Sequence, residues 1–304
     1  MNIMEEKMKK LLALTLVAVM IIGMLAACGS SEDAAGGDEG SGADITTLKV
    51  GFDAEYPPYG YMDDDGNYTG FDLELAQGVC DYYGWEFEPI PIDWDSKDME
   101  LDSGAIDCIW NGFTMTGRED LYTWSIPYVD NSLVLMTASD SGINGVGDLA
   151  GKKVGVQQAS SADTFLQEDE GAALKETFAD TLYFNSYNTA FVELQSGSVD
   201  AVIVDIGVAK YQVASRGDDK YKICDEPVSK EQYAIGFKLG NEELRDKVQD
   251  GLLKLVVDGT FEELAAKYEL SDMVILKKGE VDNGQDPDDD TVYDENQPIG
   301  ESGN

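Results

Sequence analysis

Two rhythms of apolar and polar residues alternate along the middle of the chain. Short, mostly apolar runs at residues 48–52, 85–92, 105–110, 133–137, 153–156, 199–204 and 233–238 read as strands. Between them, apolar residues recur every three to four positions, the spacing that gathers one stripe on a helix face. That pattern predicts helices over 71–83, 161–168, 189–196, 206–213, 242–258 and 261–268. Strands alternating with helices predict an α/β fold with mostly parallel sheets. Two stretches share a plan: Ser103-Gly-Ala-Ile-Asp-Cys-Ile and Ser196-Gly-Ser-Val-Asp-Ala-Val each run from a helix through a Ser-Gly turn into a strand. Gly104 and Gly197 fit helix C-caps, where a left-handed backbone favours glycine. The same unit in both halves suggests two similar lobes. In open α/β sheets a ligand sits beyond the carboxyl ends of the strands, so the informative residues should follow them.

The ends of the chain lack this rhythm. Lys7, Lys9 and Lys10 precede an apolar run at 11–25, and Leu25-Ala26-Ala27-Cys28 follows. A charged start, a short apolar run and small residues predict a secretory signal over 1–27. The run is shorter than the roughly 20 residues of a membrane span. Cysteine directly after Leu-Ala-Ala resembles the bacterial lipobox, which implies acylation of Cys28 and anchoring on the outer face of the cell membrane; the plainer reading is an ordinary signal or anchor helix. Residues 28–47 are rich in Gly, Ser, Ala and acids and read as a flexible tether. Residues 277–304, with Asp286-Pro287-Asp288-Asp289-Asp290, read as an acidic tail, and their spacing does not fit a calcium-binding EF-hand loop.

Composition then narrows the function. Among 304 residues, 60 are acidic, 21 basic and none is histidine, for a net charge of −39. Such a charge speaks against nucleic acid, which needs clustered Lys and Arg. Without histidine, Ser-His-Asp and Cys-His catalysis and every His-containing zinc site are excluded. Cys80, Cys108 and Cys224 cannot form a complete disulfide set, and the first two lie in apolar stretches that predict buried thiols.

Four strand ends carry the candidate chemistry. Asp53 to Tyr59 follow the first strand, Asn111 to Arg118 follow 105–110, Gln157 to Ser161 follow 153–156, and Asp205 follows Val204. Together they offer a guanidinium, carboxylates, backbone amides at helix starts and aromatic surface. That set suits a free amino acid, whose carboxylate takes a bidentate Arg and whose ammonium takes an anion.

The quoted runs resemble those of a family 3 extracellular solute-binding protein, the receptor of a polar amino-acid ABC importer. The matching stretches are Gly51-Phe-Asp-Ala-Glu-Tyr-Pro-Pro-Tyr59, Thr69-Gly-Phe-Asp-Leu-Glu-Leu-Ala76, Asp107-Cys-Ile-Trp-Asn-Gly-Phe-Thr114, Gly151-Lys-Lys-Val-Gly-Val-Gln157, Val199-Asp-Ala-Val-Ile-Val-Asp205 and Asp258-Gly-Thr-Phe261. The resemblance implies a two-lobed, type II periplasmic-binding-protein-like fold, its ligand cleft lying between lobes joined by two hinge strands. Lobe one would take 48–131 and 229–276, and lobe two 132–228, with hinges near Asn131-Ser132 and Pro227-Val228. It also implies a monomer that delivers its amino acid to the permease subunits, without cofactor, metal or catalysis.

By the same resemblance Arg118 grips the ligand carboxylate, in a turn one residue shorter than the common form. Asn111, Gly112 and Thr114 supply polar and backbone contacts, Gln157, Ser160 and Ser161 close from the other lobe, and Asp205 receives the ammonium. Tyr56 and Trp94 sandwich the side chain, Trp110 lines the same pocket, and Asp53 and Asp72 match contacts to a polar or cationic tip. Plainer readings exist: a surface ion pair of Arg118 with Glu119 or Asp120, helix capping by Asp72, Ser160, Ser161 or Asp205, and core packing of the aromatics. Two other functions fit the scaffold, a cyclohexadienyl dehydratase-like enzyme using a pocket carboxylate and a ligand-sensing module.

Overall fold

A computed structural model describes residues 45–281 with the exception of 218. The expected signal, Cys28, most of the tether and nearly all of the acidic tail lie outside the described residues. Lobe one begins with β1 (Thr47–Phe52), β2 (Glu55–Tyr56), β3 (Gly60–Met62), β4 (Tyr68–Thr69), α1 (Phe71–Tyr83), β5 (Glu86–Pro91), α2 (Lys97–Ser103), β6 (Cys108–Ile109) and β7 (Thr123–Trp124). Lobe two follows with β8 (Val129–Ala138), β9 (Lys153–Gln157), α3 (Ser161–Phe165), α4 (Asp169–Lys175), β10 (Asp180–Phe184), α5 (Tyr187–Ser196), β11 (Ala201–Asp205), α6 (Ile206–Arg216) and β12 (Tyr221–Ile223). The chain returns through β13 (Ser229–Tyr233) to β14 (Gly236–Phe237), α7 (Glu242–Asp258) and α8 (Thr260–Lys267).

Each lobe is built on one sheet, ordered β5-β1-β6-β14-β7 in the first and β10-β9-β11-β8-β12 in the second, where β13 also pairs β8. The sheets are mixed rather than mostly parallel. β5, β1 and β6 run parallel, as do β10, β9 and β11, but β14 and β8 enter antiparallel. The reason is the double crossing: a chain that leaves one lobe and returns to it must insert strands against the direction of the βα units.

The central strands are buried on both faces, which is why they read as unbroken apolar runs. Alternate residues serve opposite faces. In β8 and β11, Leu133, Leu135, Ala201 and Ile203 pack under Leu149, Ala162 and Leu166. Val134, Met136, Val202 and Val204 pack under Tyr187, Phe191 and Val208 from α5 and α6. In lobe one, α1 and α7 cover one face and Trp94, Leu101, Phe113 and Trp124 the other. Gly104 and Gly197 end α2 and α5 at φ 77° and 78°, each helix closing with the paired backbone bonds of a left-handed cap, as the Ser-Gly turns predict.

Several boundaries differ from the sequence expectation. The helix expected over 161–168 stops at Phe165, with the separate α4 following from Asp169, and the strand expected over 105–110 shrinks to two residues. The run at 233–238 divides between β13 and β14, because the chain changes sheets there. β13 lies antiparallel on β8, Val129 opposite Tyr233 and Leu133 opposite Ser229, so both strands joining the lobes form one paired ribbon.

Candidate functional site

The carboxyl ends of β1, β6, β9 and β11 point toward the space between the lobes. A cleft there is lined by Tyr56, Trp94, Asn111, Gly112, Thr114, Arg118, Gln157, Ser160, Ser161, Tyr187 and Asp205. The lobes touch across it. Gln157 Nε2 donates to Asp53 Oδ2 at 2.7 Å, and Arg118 Nη2 donates to Thr164 Oγ1 at 3.1 Å. The rings of Tyr61 and Tyr211 meet at 5.9 Å, and Tyr59 packs on Gly207, where a Cβ would stand 2.5 Å from the Tyr59 hydroxyl.

One end of the cleft is cationic. Arg118 is 7% exposed and lies in the turn that follows β6. Its guanidinium donates to the Thr114 carbonyl at 3.3 Å and to Thr164, and rests over the Phe113 ring at 5.5 Å. Among the described residues it makes no ion pair, so the surface pairing with Glu119 or Asp120 does not form. A guanidinium carries five donors, and a buried charge needs a counter-charge to offset its lost hydration. Trp94 stands edge-on to Phe113, and Lys97 reaches over the Trp94 ring to the Ala159 carbonyl. Burial lowers the Lys97 pKa to about 8. Ser160 caps α3 by accepting the Asp163 N–H at 3.2 Å, so its capping role is present as well.

The opposite end is acidic. Asp205 occupies the N-cap position of α6 without a side-chain capping bond. Its Oδ1 instead accepts from Asn131 Nδ2 and from the Tyr233 hydroxyl, both at 2.6 Å. Beside it stands Glu231, whose Oε1 accepts from Thr114 Oγ1 at 2.8 Å, Asn131 Nδ2 at 2.6 Å and Ser161 Oγ at 3.2 Å. Burial, and then the neighbouring Asp205 carboxylate, raise the Glu231 pKa to about 8. Both carboxyl groups bond the same Asn131 nitrogen, and a neighbouring like charge disfavours ionisation of Glu231 unless a cation joins them.

Three residues expected on the wall stand just behind it. Asp53 is buried, bonded to Gln157 and to the Glu55 N–H; burial raises its pKa to about 6. Asp72 is fully buried and accepts the Gly112 N–H, and burial raises its pKa to about 7. Trp110 is core, packed against Tyr128 at 6.4 Å. Gly112 adopts φ 55°, and a Cβ there would come within 3.0 Å of the Tyr56 and Tyr233 rings. Because its N–H serves Asp72, any backbone contact from Gly112 to a ligand falls to its carbonyl. Of the residues sequence reasoning missed, Tyr187 lines the cleft, while Asn131, Glu231 and Tyr233 hold Asp205. Ser-Lys-Glu-Gln-Tyr at 229–233 has the polar look of an exposed strand; its pairing on β8 beside the cleft is what buries Glu231.

The model of the bacterial extracellular solute-binding proteins, family 3, matches residues 48–271. The chain belongs to that family. The L-cystine-binding protein TcyJ of Escherichia coli (strain K12) is 30% identical over 225 residues, covering 73% of this chain and 82% of that protein. The arginine-binding extracellular protein ArtP of Bacillus subtilis (strain 168) is 33% identical over 264 residues, covering 86% and 98%. Among solved structures, an ABC uptake transporter substrate-binding protein from Streptococcus pneumoniae with bound histidine superposes with a TM-score of 0.70 at 32% identity, over 73% of this chain and 92% of its own. These relatives confirm the expected two-lobed architecture of this family 3 protein.

Proposed function

We propose that this solute-binding protein captures a free amino acid between its lobes and delivers it to the membrane subunits of an ABC importer. One observation carries the reading: a buried guanidinium, with no carboxylate partner among the described residues, faces one end of a closed cleft, and a crowded pair of carboxyl groups closes the other. An amino acid bears the complementary charges, an α-carboxylate for Arg118 and an α-ammonium for Asp205. Tyr56, Trp94 and Tyr187 supply apolar walls for its side chain, with Asn111, Thr114, Gln157, Ser160 and Ser161 as polar contacts. The cystine- and arginine-binding relatives support the ligand class.

Closure is the working step. The lobes, 48–131 with 229–276 and 132–228, would swing about 131–132 and 227–228, where the crossing ribbon joins them. Contacts such as Gln157 to Asp53 form only when closed, and a ligand that bridges both lobes shifts the population that way. Acyl chains on Cys28 would hold the receptor at the membrane, each buried CH₂ adding roughly 0.8 kcal/mol. The relatives are binding proteins, and the cleft reads as a receptor rather than a dehydratase because its carboxylates are matched to an ammonium.

A thermal-shift screen of the ligand-stripped protein against the twenty standard amino acids, ornithine and cystine tests the reading. A compound at a hundred times its dissociation constant should stabilise by about 2.7 kcal/mol, a shift of several degrees. One chemically related set should respond. No response to any of them, together with turnover of prephenate or arogenate, would replace the receptor by an enzyme.

A further inference from the structure

Glu231 belongs to neither lobe's βα units. It sits on the returning hinge strand β13, and its contacts converge from every side of the cleft. Thr114 donates to it from lobe one, Ser161 from lobe two, and Asn131 from the opposite hinge strand. Thr114, Ser161 and Asp205 all line the cleft, so Glu231 lies directly behind the place where they meet. The Asn131 amide nitrogen binds one oxygen of Asp205 and one of Glu231, clamping the two carboxyl groups side by side. Like charges so placed disfavour each other, and together with burial this keeps the proton on Glu231.

We propose that Glu231 and Asp205 together form the ammonium site, and that the ligand's ammonium displaces the proton held by Glu231, which passes to the solvent. The inference rests on the amino-acid reading above and deepens it: the cleft selects ligands by an ammonium that must replace the Glu231 proton beside the Asp205 carboxylate. It also places part of the ammonium site on the hinge strand, bonded to both lobes at once.

The direction of the pH dependence follows. Burial and Asp205 hold Glu231 protonated up to about pH 8, and a bound ammonium favours its ionised form. Binding below that pH therefore releases a proton, and affinity rises by up to roughly tenfold per pH unit until about pH 8. Other ionisable groups face this site: Asp205 from β11, Tyr233 from β13, Tyr59 from lobe one and Tyr187 from α5, with Arg118 across the cleft. The tyrosines are all held well above the usual range by burial and so stay neutral throughout. Asp53 and Lys97 titrate nearby, at about 6 and about 8. Lys97 losing its charge would weaken carboxylate binding, opposite in sign to Glu231.

The test is titration calorimetry with the tightest binder among L-arginine, L-histidine, L-glutamine and L-cystine, at pH 7, in phosphate and in Tris. These buffers differ in ionisation heat, so a released proton appears as a buffer-dependent enthalpy. The wild type should release about one proton per ligand, with affinity rising to a bend near pH 8. Glu231→Gln should release far less, match the wild type within about threefold at pH 6, and fall at least tenfold behind it at pH 8.5. A purely structural Glu231 would give the same deficit at both pH values, and that result overturns the proposal. So does tight wild-type binding with buffer-independent heat, or a bend near pH 6, either of which decides the matter even if the variant does not fold. If none of the four amino acids binds, the failure is that of the amino-acid reading itself.

Discussion

The two ends of the cleft solve opposite electrostatic problems. At one end Arg118 is buried among neutral partners, the Thr114 carbonyl and the Thr164 hydroxyl, its charge uncompensated among the described residues. At the other, Asp205 and Glu231 crowd together with donors from Asn131, Thr114, Ser161 and Tyr233. Joining the ends directly would have produced an internal ion pair and a silent cleft. Kept apart, each end is under-compensated by itself, and the proposed zwitterionic ligand would satisfy both. The difference teaches that the site holds its charges in waiting, stabilised by dipoles that can be outcompeted.

The largest effect should come from removing the cationic end. Arg118→Ala deletes the charge and its bidentate geometry, and truncating one partner of a buried charge pair costs about 2–5 kcal/mol, roughly thirty- to several-thousand-fold in Kd. Calorimetry with the best amino acid of the screen reads this directly. Because the guanidinium is uncompensated without ligand, the same variant should melt no lower than the wild type in the absence of ligand. A large loss of unliganded stability with unchanged affinity would make Arg118 a structural residue and dissolve the comparison.

The next effect tests whether the ends work only when brought together. Gly207 lets α6 approach Tyr59, and its replacement by alanine puts a methyl where the Tyr59 hydroxyl stands. Alanine is also the better helix former, by roughly 1 kcal/mol. Gly207→Ala should therefore keep the unliganded melting temperature, lower affinity about fivefold or more, and reduce the contraction seen by small-angle scattering on ligand binding. Unchanged affinity would mean that the lobes need not meet at Tyr59.

How much of this is legible in the sequence follows from where the signal lies. The β8 and β11 runs are plain because strands buried on both faces are apolar throughout, and Gly104 and Gly197 mark helix ends because few other residues tolerate φ near 80°. Tyr56, Trp94, Arg118 and Asp205 are legible because they lie at or just beyond strand ends. Asn131 and Glu231 are not, since hinge-strand polarity looks like solvent exposure until the two strands pair. Asp53, Asp72 and Trp110 stand one layer behind the wall on which the sequence puts them. Sequence position sets a residue at a strand end, but packing decides whether it faces the cleft or supports a neighbour that does. The strand over 180–184 and the helix over 169–175 leave little trace because neither is strongly apolar: Asp180–Phe184 has no fully buried residue, and only Gly171 is buried in Asp169–Lys175.

The smallest effect separates a carboxylate that waits for a ligand from one that serves the fold. Asp72 is as buried as any acid at the cleft, yet its partner is the Gly112 N–H, and burial raises its pKa to about 7. A carboxyl group raised in this way favours the fold fully below the unfolded pKa, and that contribution is lost as pH climbs through the folded value. An asparagine at this position would keep an acceptor for Gly112 and never ionise. Asp72→Asn should thus raise the melting temperature at pH 8, by about 2–4 °C for each kcal/mol gained, and the gain should shrink steadily as pH falls toward 4. A saturating amino acid should leave this difference in place, because no ligand cation reaches Asp72, while it offsets the cost of ionising Glu231. Thermal melts of both proteins across that range, with and without ligand, distinguish the two kinds of acid. If ligand abolishes the Asp72→Asn difference, Asp72 belongs to the ammonium end after all.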